Sequence, residues 1–214
     1  CIGEHPYNVY MRTIPREVGR SGIRLDPVET TRRRLSKTTK SELEMYILGA
    51  LHDATFNRIH QTFRFSQSST EWLQLIKEIL VRLGYKSWVY QEGKTRNVWI
   101  LETSAKFVSR NAENNADKIA YIRGYFDSEG GMPKNNRHFL YFQFCQKNRA
   151  DLEEVRKYLI DIGIKCGVVH NPSKQVDDNY WRFFLSRTSH QEFMKKINSW
   201  HPRKAKQMEL RMKI

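Results

Sequence analysis

Apolar and polar positions along this chain follow two periods in turn, and the sequence of periods occurs twice. Phe63, Arg64, Phe65, Ser66 and Gln67 alternate with period 2, which predicts a strand buried on one face. Trp72, Leu75, Ile76, Ile79, Leu80 and Leu83 then recur at spacings of three and four, the pattern of an amphipathic helix. Gly84 stands where a glycine ends such a helix. Two strands are predicted next, over 87–91 and 97–103, around a turn at Glu92-Gly93-Lys94. The same order returns at an offset of 79 residues. A strand over 141–146 leads to a helix carrying Leu152, Val155, Leu159 and Ile162, then to Gly163. Strands over 165–170 and 180–186 follow, joined by a polar loop at 171–179. Gln67 falls on Gln146 and Gly84 on Gly163. A short helix is predicted to close each copy, near 105–110 and near 190–200.

Upstream of each copy lies a further predicted helix, over 41–53 and 116–129. Each ends on an acid followed by a small residue, Asp53-Ala54 and Glu129-Gly130. The reading is therefore a mixed α/β (α+β) fold of two pseudo-symmetric αββαββα repeats, 41–113 and 114–214, preceded by a basic arm over 1–40. A chain of 214 residues suffices for two small repeats sharing one core.

Charge narrows the partner. Thirty-seven Lys and Arg against 23 Asp and Glu give +14, and a net charge of that size repels itself unless a polyanion offsets it. Nucleic acid is the obvious one, since basic side chains release its condensed counterions. No apolar run approaches a membrane span, so no membrane partner is expected. Three cysteines, Cys1, Cys145 and Cys166, make neither a CxxC pair nor an even set, which argues for an intracellular, reducing setting. Cys145 and Cys166 read as small core residues. Cys1, in place of an initiator Met, suits a start inside a longer or processed chain.

The two upstream helices carry the chemistry. The second reads AYIRGYFDSEGG and the first MYILGALHDATF. This pair resembles the two signature helices of single-chain LAGLIDADG homing endonucleases, over about residues 41–210. The second motif matches well; in the first, Gly49 lies four rather than five residues before its acid, and Ala54 replaces a glycine. Asp53 is aligned with Glu129, an offset of 76, so Leu48 faces Gly124 and three residues of length change fall in the next hairpin. The resemblance implies two signature helices packed at the centre of a DNA-binding saddle of antiparallel sheets. It implies that Asp53 and Glu129 hold divalent metal ions, usually Mg²⁺, with Mn²⁺ or Ca²⁺ able to substitute for binding. Hard cations want such oxygen donors, and side-by-side carboxylates are costly without a cation. Asp127 is expected to support the motif. By the same resemblance Gln67 and Gln146 order water at the scissile phosphates. A basic residue is expected to complete the site, with Lys118, Lys147 and Lys206, or its neighbour Lys204, as candidates.

The resemblance also places double-stranded DNA, with a long asymmetric target, along the sheets of a monomer. Outward polar positions suited to it are Arg58, His60, Arg64, Lys94, Arg96, Asn97, Lys134, Asn136, Arg137, His138, Gln143, Asn179 and Arg182. Arg32, Arg33 and Arg34 in the arm are further candidates. Two other functions stay open: a maturase binding intron RNA, and a DNA-binding protein that does not cut. An intein is disfavoured, because the chain ends Met212-Lys213-Ile214 rather than His-Asn.

Overall fold

The first helix begins where its side chains can satisfy its free amides. Thr39 accepts from the Glu42 amide at 3.2 Å, and the Glu42 carboxylate accepts from the Thr39 amide at 2.8 Å, a reciprocal capping box. From there α1 runs Lys40–Ala50 and tightens into a 3₁₀ turn at Leu51–Asp53. The structure, a computed structural model, describes residues 35–93, 95–135 and 137–212. Most of the predicted arm, with Arg32, Arg33 and Arg34, lies outside the described residues, as do Lys94 and Asn136.

The first half continues with β1 (Thr55–Asn57), β2 (Thr62–Gln67), α2 (Glu71–Arg82), β3 (Ser87–Gln91) and β4 (Trp99–Thr103). Its antiparallel sheet has the order β1-β2-β4-β3. The second half holds α3 (Asn115–Glu129), β5 (Gly130–Gly131), β6 (Gln143–Gln146), α4 (Arg149–Asp161), β7 (Trp181–Phe184), α5 (His190–Lys196) and α6 (Pro202–Met212). Its sheet has the order β5-β6-β7, again antiparallel. Gly84 and Gly163, after α2 and α4, take φ of +85° and +88°, the left-handed conformation that closes a helix and that side chains resist. The predicted repeat is thus present in three dimensions, as a mixed helix and antiparallel-sheet fold.

Two predicted elements need correction. The predicted helix at 105–110 is absent, and the segment is extended instead. Ala105 is buried and Phe107 packs on Tyr85 and Phe63, while Lys106 and Val108 between them are exposed, a period of two. The strand predicted over 165–170 is reduced to two isolated bridges, Cys166 to Leu185 and His170 to Arg182. These differ by one residue in register, and Gly167 lies between them, where a strand is weakest. One further helix, α6, was not announced by the hydrophobic pattern. Pro202 opens it, Lys204 and Met208 face inward one turn apart, and Arg211 donates to the Asn135 and His138 carbonyls.

The two halves interlock. Met45, on α1, packs in the second half's core, whereas Trp200, from the connection between α5 and α6, lies in the first half's core beside Tyr46, with ring centroids 4.5 Å apart. The helices α1 and α3 cross at Gly49 and Gly124. A Cβ on Gly49 would run into the Tyr121 carbonyl and the Tyr125 amide; one on Gly124 would run into the Tyr46 carbonyl and the Ala50 amide. These neighbours are three residues before and one after the opposing glycine, in both directions. Gly49 and Gly124 are therefore structural equivalents, at an offset of 75. The alignment that set Leu48 opposite Gly124 is corrected by one residue.

Because backbone faces backbone at this crossing, no side-chain rotation can relieve an added methyl. Gly49→Ala and Gly124→Ala should each destabilise the fold by about 3 kcal/mol or more, read as a fall in the urea midpoint at constant slope. A midpoint shift near zero for either variant would contradict the crossing described.

Candidate active site

The two acids reach the same place by different local structures. From Gly124 to Glu129 the chain advances five α-helical steps, about 7.5 Å at 1.5 Å each. From Gly49 it takes one α step to Ala50 and then three 3₁₀ steps to Asp53. At about 2.0 Å per 3₁₀ residue that also comes to roughly 7.5 Å. The stretched last turn thus makes up for the residue that the first motif lacks. The remaining offset, from 76 at the acids to 79 at the glutamines, falls in the longer β5–β6 connection, as the sequence predicted. Thr55 pairs with Arg64 in one sheet and Gly131 with Gln143 in the other.

Each acid receives one amide. The Gln67 side-chain nitrogen donates to Asp53 and that of Gln146 to Glu129, both at 3.4 Å. The Lys147 main-chain amide donates to the Gln146 amide oxygen at 2.7 Å, which turns the Gln146 nitrogen towards Glu129. Burial raises both carboxyls, Asp53 to about 6 and Glu129 to about 7, and the charge of Asp53 adds to the rise at Glu129. The amide bond from Gln146 and the charge of Lys204 pull the other way at Glu129.

Lys204 lies beneath the pair. Its buried ammonium donates to the carbonyls of Phe126, Asp127 and Gly130, the last two at 2.9 and 2.7 Å. All three of its protons are used at the C-terminal end of α3, where a cation offsets the helix dipole. Burial is the main cause that lowers it to about 8. Asp127, two residues before Glu129 and so on the opposite side of α3, faces away from the acids. It accepts from the Tyr46 hydroxyl, the Ser199 hydroxyl and the amides of Trp200 and His201. It therefore fastens α3 to α1 and to the chain leading into α6, which is the supporting role expected of it.

The other predicted residues scatter. Lys118 lies eleven residues before Glu129, about 16 Å along α3, and pairs with Asp161 at 2.6 Å. That distance removes it from the site. Lys206 is exposed, two residues beyond the inward-facing Lys204 and so turned away from the acids. Lys147 is exposed beside Gln146. His52 turns to the second half, 2.7 Å from the Tyr121 hydroxyl and 3.6 Å from Asp151. Arg58, His60, Arg96, Asn97, Lys134, Arg137, His138 and Asn179 are exposed, on or next to the hairpin connections. Arg64 is instead committed to Glu92 at 2.9 Å and to the Tyr90 hydroxyl. Gln143 donates to the Tyr180 hydroxyl, and the Arg182 guanidinium lies over the Phe184 ring, 5.2 Å from its centroid. Cys145 shares a row with Arg182 on the open sheet face and is not a core residue, whereas Cys166 packs against the core. Among the described residues no cluster of three or more His, Cys, Asp or Glu forms a closed metal cage. The donor set nonetheless fits a hard divalent cation, because two oxygen ligands with raised carboxyls meet at an open edge and leave coordination positions for water or phosphate.

Comparison with known proteins agrees with this fold. Residues 116–198 match the model of the LAGLIDADG-like domain. No curated protein sequence matches the chain. The structure of I-DmoI in complex with DNA and Mn superposes with a TM-score of 0.55 at 20% identity, covering 75% of this chain and 98% of that one. The N-terminal LAGLIDADG domain of DUF199/WhiA gives 0.64 at 16% identity, covering 80% and 88%. Full-length DUF199/WhiA from Thermatoga maritima gives 0.62 at 18%, covering 87% and 66%. The chain has the LAGLIDADG fold. Its second half is a LAGLIDADG-like domain, and the first half repeats its architecture around the paired helices.

The raised carboxyls set a pH dependence in metal-free protein. The folded state keeps protons that the unfolded chain loses from about pH 4 upward, so the pair's contribution to stability is fully present below that range and is lost as pH rises through about 6 and 7. Glu129→Gln should flatten this fall and raise Tm at pH 7.5 by roughly 2–4 °C, equivalent to about 1 kcal/mol after allowing for solvent screening. A variant less stable than the parent at pH 7.5 would contradict the strain assigned to the pair.

Proposed function

We propose that this protein is a site-specific double-strand DNA endonuclease that hydrolyses phosphodiesters with divalent metal ions. The observation that carries the reading is the pairing of Asp53 and Glu129 at the ends of two crossed helices, each with a strand glutamine on its carboxylate. Two partly desolvated acids in equivalent places are a standing electrostatic cost, and a bound cation is the simplest way to offset it. Asp53 and Glu129 would hold Mg²⁺, with Mn²⁺ or Ca²⁺ substituting for binding. Such ions polarise the phosphate and activate water. Gln67 and Gln146 orient the carboxylates and the water around them, and Lys147 stands exposed beside Gln146 within the same rim. The duplex lies on the open faces of the two sheets. Since the two halves differ in sequence, one monomer reads an asymmetric site. The I-DmoI complexes with DNA and with Mn or Ca support this reading by likeness of fold.

A second reading, a DNA-binding protein that does not cut, is favoured by one observation. Lys204, the buried cation nearest the acids, has all its protons engaged by main-chain carbonyls and none for a phosphate.

One experiment separates them. A random duplex library incubated with the protein and Mg²⁺ should yield specifically cut molecules. Asp53→Asn and Glu129→Gln should each lower cutting at least 100-fold while binding to the selected duplex in Ca²⁺ persists. Binding without cutting by the parent protein would favour the second reading, and tight binding of intron RNA alone would overturn both. Ca²⁺ should also raise the Tm of the parent more at pH 7.5 than at pH 5.5, because a cation relieves only ionised carboxylates. Equal shifts at the two pH values would count against metal on this pair.

A further inference from the structure

The open face of the first sheet is unlike the basic surface expected of a DNA-binding protein. Antiparallel partners share a face, so Thr55, Arg64, Glu102 and Trp88 form one row across all four strands. Ser66, Ile100 and Tyr90 form the next row on that face. The opposite face carries Phe65, Leu101 and Val89, which pack in the core. Every charged group in the open rows is already paired. Arg64 donates to Glu92 at 2.9 Å and to Tyr90, while Glu102 accepts from Thr62 and from Tyr90, the latter at 2.9 Å. Glu102 is only 7% exposed, whereas Trp88 is 43% exposed. Exposed basic groups lie elsewhere, on the connections that end the strands: Arg58 at one, Arg96 at another. The sheet thus has basic connections, a middle in which Arg64 and Glu102 are paired internally beside buried Ile100, and an exposed aromatic, Trp88, on the edge strand β3.

We infer that this half reads thymine through Trp88, by apolar contact with the C5-methyl group in the major groove, while the basic connections hold phosphates. The inference rests on the DNA-binding reading above. Phosphate contacts need charge and carry no sequence information, whereas the thymine methyl is the one apolar feature on a major-groove base edge. A locked Arg64 is not free to grip guanine as a bidentate donor, so the row cannot favour a G·C pair through it. Its Glu92 partner would also repel a phosphate brought to that position.

The test uses duplexes with and without the methyl group. The parent protein, in Ca²⁺, selects binding duplexes from a random library, and the enriched site is resynthesised with each thymine replaced singly by deoxyuridine. The inference expects one half-site to contain thymines whose loss of methyl weakens binding about fourfold each, the value of one buried methyl-sized group. Trp88→Ala and Trp88→Gln should weaken the all-thymine duplex about tenfold and bind thymine and uracil duplexes equally. Arg96→Ala should weaken all duplexes alike and keep the methyl preference. Equal binding of thymine and uracil duplexes by the parent, or a methyl preference that survives in both Trp88 variants, overturns the inference while leaving the DNA-binding reading intact. Failure of the library to yield any bound duplex overturns that reading as well.

Discussion

The contact between Gly49 and Gly124 is the constraint on which the rest depends. Two helix backbones approach there so closely that only hydrogen fits between them. The crossing fixes how far α1 and α3 descend side by side, and so where Asp53 and Glu129 meet. It also carries Met45 into one core and lets Trp200 reach the other, so neither core is complete without the partner half. The glycines have no chemistry of their own, yet a shift at the crossing would move both carboxylates together.

What the crossing brings together is unfavourable in isolation. Two carboxyls are held at the negative ends of helices and partly out of water. The structure offsets this with groups placed off the reacting edge. Lys204 covers three carbonyls at the end of α3, and Asp127 gathers four donors from α1 and from the chain entering α6. Those ties hold the last turn of α3 rigid without occupying the open side of Glu129. Stability is supplied from behind, and the carboxylate face stays available.

The sheets divide their work in a similar manner. Charge sits on the connections at the strand ends, whereas the middle of the first sheet is neutralised internally by Arg64, Glu92, Glu102 and Tyr90. A net charge of +14 therefore says little about which part of the surface touches bases. Long-range attraction and local recognition are separable, because the first depends on total charge and the second on which side chains remain unpaired.

The repeat, the helices ending at Gly84 and Gly163, the two acids and their glutamines were legible in the sequence alone, because each rests on local periodicity or on a residue type that its backbone position demands. Other features were decided only in three dimensions. The equivalence of Gly49 with Gly124 depends on a 3₁₀ turn, and no residue in Leu51-His52-Asp53 announces that turn. It forms because the crossing fixes one end of the segment and β1, pairing with β2, fixes the other. The same applies to 105–110, whose composition suits a helix but whose alternate residues are drawn into the first core and hold it extended. Lys204 could not be told from Lys118 or Lys206 by sequence, since a lysine's role depends on which carbonyls and carboxylates the fold sets around its ammonium. Arg64 looked free for the same reason, because its partners Tyr90 and Glu92 lie on a strand and turn more than twenty residues away. Periodicity determines which segments fold and how; pairing across the fold determines which charges remain to act.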